Sequence, residues 1–105
     1  MEQQISVIDS HVHDSWPITA DSLTDILEKT RTDMVCLAAL PGQARLDPTL
    51  DILVYKHRHP DTTFAMGCLD CTAYETRTDI GAYFVKHAKR ILSMGCDGVK
   101  LLEGK

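Results

Sequence analysis

With 105 residues, 44% of them apolar, the chain holds enough material for one small domain with a modest core, and its length gives no reason to expect two. Fifteen acidic against 11 basic residues leave a net charge of −4 without a basic run, which removes the electrostatic footprint of a nucleic-acid or anionic-membrane binder. The opening MEQQISVID lacks the basic start and apolar core of a secretory signal, and no run approaches the roughly 20 apolar residues of a membrane span, so a cytoplasmic protein with small-molecule or protein partners is expected.

Residues 5–14, ISVIDSHVHD, read as a buried β-strand that ends in two histidines one residue apart. Alternation along a strand places Val7, Asp9, His11 and His13 on one side and Ile8, Ser10 and Val12 on the other. Neutral imidazole is the commonest protein ligand for zinc, and a strand end holds two rings at a fixed spacing, so His11 and His13 are candidate metal ligands. Asp9 is the residue expected to orient them. His57 and His59 repeat the spacing, but they follow a helical pattern and precede Pro60, where histidines suit the carbonyl end of a helix.

A polar turn with Trp16 and Pro17 leads to a helix capped by Thr19, whose Leu23, Ile26, Leu27 and Thr30 keep the spacing of one buried face. Residues 33–40, DMVCLAAL, are too short and too continuously apolar for a surface helix, and Pro41-Gly42 stops them as a second strand. Asp47-Pro48 starts a second helix, with Leu50, Leu53, Val54 and His57 on one side and Pro60 closing it. Residues 62–69, TTFAMGCL, form the third strand. The third helix carries Ile80, Phe84, His87, Ala88 and Ile91 on its buried face, leaves Lys86, Lys89 and Arg90 to solvent, and ends at Gly95. Residues 96–102, CDGVKLL, are the fourth strand.

The four cysteines are expected to be reduced. Cys36 and Cys96 lie in or beside strands, and Cys68 and Cys71 form a lone Cys-x-x-Cys without the second pair of a zinc ribbon. Asp70, beside them at the end of the third strand, reads either as facing a substrate mouth or as a turn or helix cap.

Strands alternating with helices give an α/β chain, a parallel βαβαβαβ unit. An open doubly wound sheet would need a switch-point site, and the turn HDSWP after the first strand has no phosphate-binding glycine. The first half of a (β/α)8 TIM barrel, with functional residues at the C-terminal strand ends, places His11 and His13 where chemistry occurs.

The Asp9-x-His11-x-His13 element, the βα units after it, HPDTTFAMG around the third strand and MGCDGVKLLEGK around the fourth together resemble the amidohydrolase-related metal-dependent hydrolases. That resemblance covers the whole chain and reaches four strands of a barrel, making residues 1–105 a single partial domain, an N-terminal fragment or one protomer of an assembled barrel. It implies a divalent metal, usually zinc, held by His11 and His13 together with ligands from later strands, and a small-molecule substrate. A carboxylated lysine or a glutamate at the end of the fourth strand bridges two metals in binuclear members, which directs attention to Lys100 and Glu103. The implied reaction is attack of metal-activated water on a carbonyl-type substrate, the metal bringing the pKa of water to about 7; some members of the family decarboxylate instead. Two ligands fall short of the three that a catalytic zinc takes, and open sheet edges invite self-association. The catalytic residues are left open, with Lys100, Glu103 and Asp9 as contributors. The competing expectation is a non-catalytic four-strand binding or assembly module.

Overall fold

A computed structural model describes residues 5–13, 20–40, 48–69 and 78–101. Its elements are β1 (Ile8–His13), α1 (Ala20–Lys29), β2 (Met34–Ala38), α2 (Pro48–Arg58), β3 (Thr63–Cys68), α3 (Ile80–Ser93) and β4 (Gly98–Lys100). The four strands are parallel and lie in the order β1-β2-β3-β4. The expected α/β class and parallel sheet are thus present, each strand shorter than its apolar run. Thr19, Asp47, Asp70, Cys71, Glu103 and the turn at Pro41-Gly42 lie outside the described residues.

Strand order decides where the helices go. Right-handed crossovers that always step in one direction lay every helix on the same face of the sheet, and side-chain contacts agree. Val35, Leu37, Ala39 and Ala65 pack with Leu23 of α1 and with Ile52 and Tyr55 of α2. Beside them Ile91 of α3 packs with Leu69 and Cys96, flanked by Phe84, Ala88 and Val99. Among the described residues, Val35, Leu37, Ile52 and Ile91 are the largest fully buried side chains, each worth about 1.5–3 kcal/mol of burial. Gly67 permits the close approach of α3, because a Cβ there would collide with Ile91 Cγ2 and lie 3.1 Å from both Cys96 Sγ and Thr49 Cγ2.

The helices meet the sheet with one correction. On α2 the buried residues are Thr49, Ile52 and Tyr55, while Leu50 and Val54 are about half exposed. Apolar residues occupy both sides of this helix, and polar anchors choose between them: Thr49 Oγ1 accepts from Cys68 N at 3.2 Å, and the Tyr55 hydroxyl lies 3.2 Å from Thr24 Oγ1. On α1, Leu23 and Leu27 face the core as expected but Ile26 is exposed. On α3, Ile91 is buried and Ile80, Phe84, His87 and Ala88 are half-buried, with Lys86, Lys89 and Arg90 exposed, as the periodicity required.

β1 departs further from expectation. Its residues 8–11 are exposed and only Val12 and His13 are half-buried, because β1 is an edge strand with one face uncovered. Two carboxylates pin the strand starts. Asp33 donates its N–H to Val7 O at 2.8 Å while its Oδ2 accepts from Val7 N at 2.7 Å. Asp97 does the same to Ala65, at 2.8 Å in both directions, and also accepts from Lys56 Nζ at 2.5 Å.

Candidate functional site

The face opposite the helices carries the candidate chemistry. Parallel partners share a face, so Ile8 with Met34, Cys36 with Phe64 and Met66 with Gly98 form an apolar floor on which no described helix packs. Phe64 and Ile8 are 43% and 56% exposed there. At the C-terminal end of this floor stand His13, paired with Ala38, and Lys100, paired with Cys68.

A β-bulge brings His11 to the same side. Asp9 pairs with Val35 and Val12 with Leu37, so three steps along β1 match two along β2 and one residue is extra. Before the bulge Asp9 takes the side of Val35, which faces the helices; after it Val12 joins the core beside Leu37, and His11 and His13 take the open face. The sequence's simple alternation put Asp9 on the histidines' side, and the bulge is why the register does not. Asp9 acts on the site through the backbone instead, its Oδ1 accepting from His11 N at 3.1 Å.

Three side chains converge. The His11 and His13 rings meet edge to face with centroids 4.5 Å apart and planes at 71°. Lys100 Nζ donates to His11 Nε2 at 3.2 Å, joining the two outer strands of the sheet across its open face. His13 Nδ1 lies 3.3 Å from Ala38 O. A carbonyl only accepts, so this contact puts the proton on Nδ1 and leaves the Nε2 lone pair for a ligand. No family model, curated protein or solved structure matches the chain.

The donor set fits one side of a metal site. Two imidazoles share a face, one with its tautomer set by a backbone carbonyl in the manner of metal-binding histidines. Among the described residues no group of three or more His, Cys, Asp or Glu gathers. Lys100 lies beside His11 on the open face of the sheet, with Gly98 preceding it there.

The other candidates are dispersed. His57 is exposed, and half-buried His59 stacks against the Tyr55 ring at 4.5 Å. Cys36, Cys68 and Cys96 are not joined to one another by disulfides; burial and the Asp97 carboxylate push the Cys36 thiol up, away from the reactive thiolate. A shallow groove of about 650 Å³ lined by Leu50, Leu53, Val54, His57, Arg58 and Met94 contains none of the site residues. Among the described residues no helix is long and apolar enough to cross a membrane.

The bulge and the carbonyl beneath His13 were not foreseen. Nothing in ISVIDSHVHD marks Ser10 or His11 as extra, since both fit a strand, and the contact with Ala38 O depends on register.

Proposed function

We propose that this chain carries part of the metal site of an amidohydrolase-like (β/α)8 barrel, a metal-dependent hydrolase in which activated water attacks a carbonyl-type substrate. The observation that supports the reading most is the convergence of His11, His13 and Lys100 at the C-terminal end of a parallel sheet wound in one direction. Winding without reversal is the barrel's topology, whereas a doubly wound sheet reverses at its binding crevice.

In this reading His11 and His13 hold a divalent cation, and two imidazole donors suit zinc. The bound metal would supply a hydroxide at neutral pH and polarise the carbonyl. The chain's own residues prepare the place: Ala38 O sets the His13 tautomer and leaves its Nε2 free, Asp9 holds the backbone at His11, and Lys100 occupies the His11 Nε2 lone pair, which a cation would have to take from it. Lys100 and Glu103 are the candidates for a bridging position. Catalysis needs at least one further protein ligand besides the two histidines.

Zinc titration of the purified chain against a chelating dye tests this. Saturable binding that disappears in the His11→Ala, His13→Ala double variant is expected. Absent binding, or binding unchanged in that variant, refutes the metal reading and favours the non-catalytic module.

A further inference from the structure

Two of the chain's βαβ units, β1-α1-β2 and β3-α3-β4, leave their helices alike. In the first, β1-α1-β2, Thr30 N donates to Ile26 O, Arg31 N to Glu28 O and Thr32 N to Leu27 O; in the second, β3-α3-β4, Met94 N donates to Arg90 O, Gly95 N to Leu92 O and Cys96 N to Ile91 O. Arg31 and Gly95 occupy the same place in these exits, and both have positive φ, 53° and 109°. Two residues later come Asp33 and Asp97 with their two-way clips to Val7 and Ala65. The exit of α2 differs: His59 N donates to Tyr55 O and Thr62 N to His59 O. By this likeness the first and second strands correspond to the third and fourth, and the β2–β3 contact is a junction between the two units.

That junction supplies a template for the outer edges. β2 presents Val35 and Leu37 to Thr63 and Ala65 of β3. The equivalents of the first pair on the β4 edge are Val99 and Leu101, and those of the second on the β1 edge are Ile5 and Val7. Burial shows what the edges lack. Leu37, Thr63 and Ala65 are 1%, 3% and 0% exposed inside the junction, whereas their counterparts Leu101, Ile5 and Val7 are 58%, 82% and 44% exposed.

We propose that β4 pairs in parallel with β1 of a second copy of this chain, Val99 opposite Ile5 and Leu101 opposite Val7, so that two copies close an eight-stranded barrel about a two-fold axis. Both halves of the junction are present on one chain, which is why the occupant is a second copy. A rotation along the barrel axis keeps all strands parallel and makes the two new junctions identical, leaving no free edge. It also brings both sets of His11, His13 and Lys100 to one rim. The proposal rests on the barrel architecture proposed above and not on its metal chemistry.

Sedimentation equilibrium in the presence of a chelator tests the assembly separately from zinc binding. The wild-type chain should weigh twice its 11.7 kDa. Val7 turns its N–H and C=O toward Asp33, so strand alternation turns those of Ser6 to the free edge. Ser6→Pro removes that donor, and Leu101→Glu places a charge in the junction. Each should weaken dimerisation at least roughly tenfold while far-ultraviolet circular dichroism stays helical. A wild-type monomer at the highest soluble concentration, open-ended larger assemblies, or a dimer indifferent to both folded variants would overturn the proposal. Should either variant fail to fold, the wild-type mass still decides.

Discussion

Asp33 and Asp97 make the same clip in different surroundings, and removing each by alanine measures what the surroundings contribute. Asp97→Ala takes the acceptor from the part-buried Ala65 N–H and strips Lys56 of its ion pair, in which the lysine and aspartate side chains are 22% and 36% exposed. Hydrogen bonds to charged groups are worth about 1.5–3 kcal/mol, and a pair this exposed adds less than about 1 kcal/mol, so a loss of about 2–3 kcal/mol is expected. Asp33→Ala, measured like Asp97→Ala in the Leu101→Glu background that keeps the chain monomeric, frees Val7 N at an exposed edge that water reaches, and should cost about 0.5–1 kcal/mol. Urea denaturation with unchanged m-values reads both. Equal losses, or a larger one at Asp33, would refute the assignment of the difference to burial. The pH dependence carries a second check. Partial burial alone would raise the Asp97 pKa, but the Lys56 hydrogen bond, the Ala65 amide and the Lys56 charge together hold it below the ordinary carboxylate value. A depressed folded-state pKa means stabilisation present in full above the unfolded value near 3.9 and lost as pH falls through the folded one. The Asp97→Ala deficit should therefore be constant above about pH 5 and shrink below it.

Gly67→Ala should destabilise the chain by about 1–3 kcal/mol, since Ile91 is a β-branched residue fixed in α3 and cannot yield to the new methyl; an unchanged urea midpoint would count against that packing. Ile52→Ala should cost about 2–5 kcal/mol, whereas Val54→Ala on the outward side of α2 should lie within about 0.5 kcal/mol of wild type, the reverse of what helical periodicity alone implies. Lys100→Met should shift the His11 ring nitrogen resonances and leave those of His13 largely in place, because only His11 receives the lysine's hydrogen bond.

The legible parts of the sequence were those governed by long apolar patterns and stop signals. Each strand core fell inside its apolar run, and α3 presented the face its spacing required, because Lys86, Lys89, Arg90 and Ser93 hold its other side in solvent even with Val85 and Leu92 exposed beside them. α2 misled for the opposite reason. Leu50, Leu53 and Val54 compete with Ile52 and Tyr55 for the interior, and the decision fell to Thr49 and Tyr55 through contacts with residues 19 and 31 positions away. Within the site, the common side of His11 and His13 follows from two-residue spacing, which holds after the bulge as before it. Asp9 lies across that bulge, and its side could not be read from local alternation. The meeting of Lys100 with His11 spans 89 residues and depends on strand order, which the crossovers set.

The bulge in β1 also separates two obligations that a regular strand would bind together. Residues ahead of it answer to the free edge, and the histidines beyond it answer to the open face. With the alternation slipped by one place between them, a substitution that tunes assembly at Ile5 or Val7 imposes no matching change on the imidazoles. Strand pairing and chemistry can drift apart on the same short stretch.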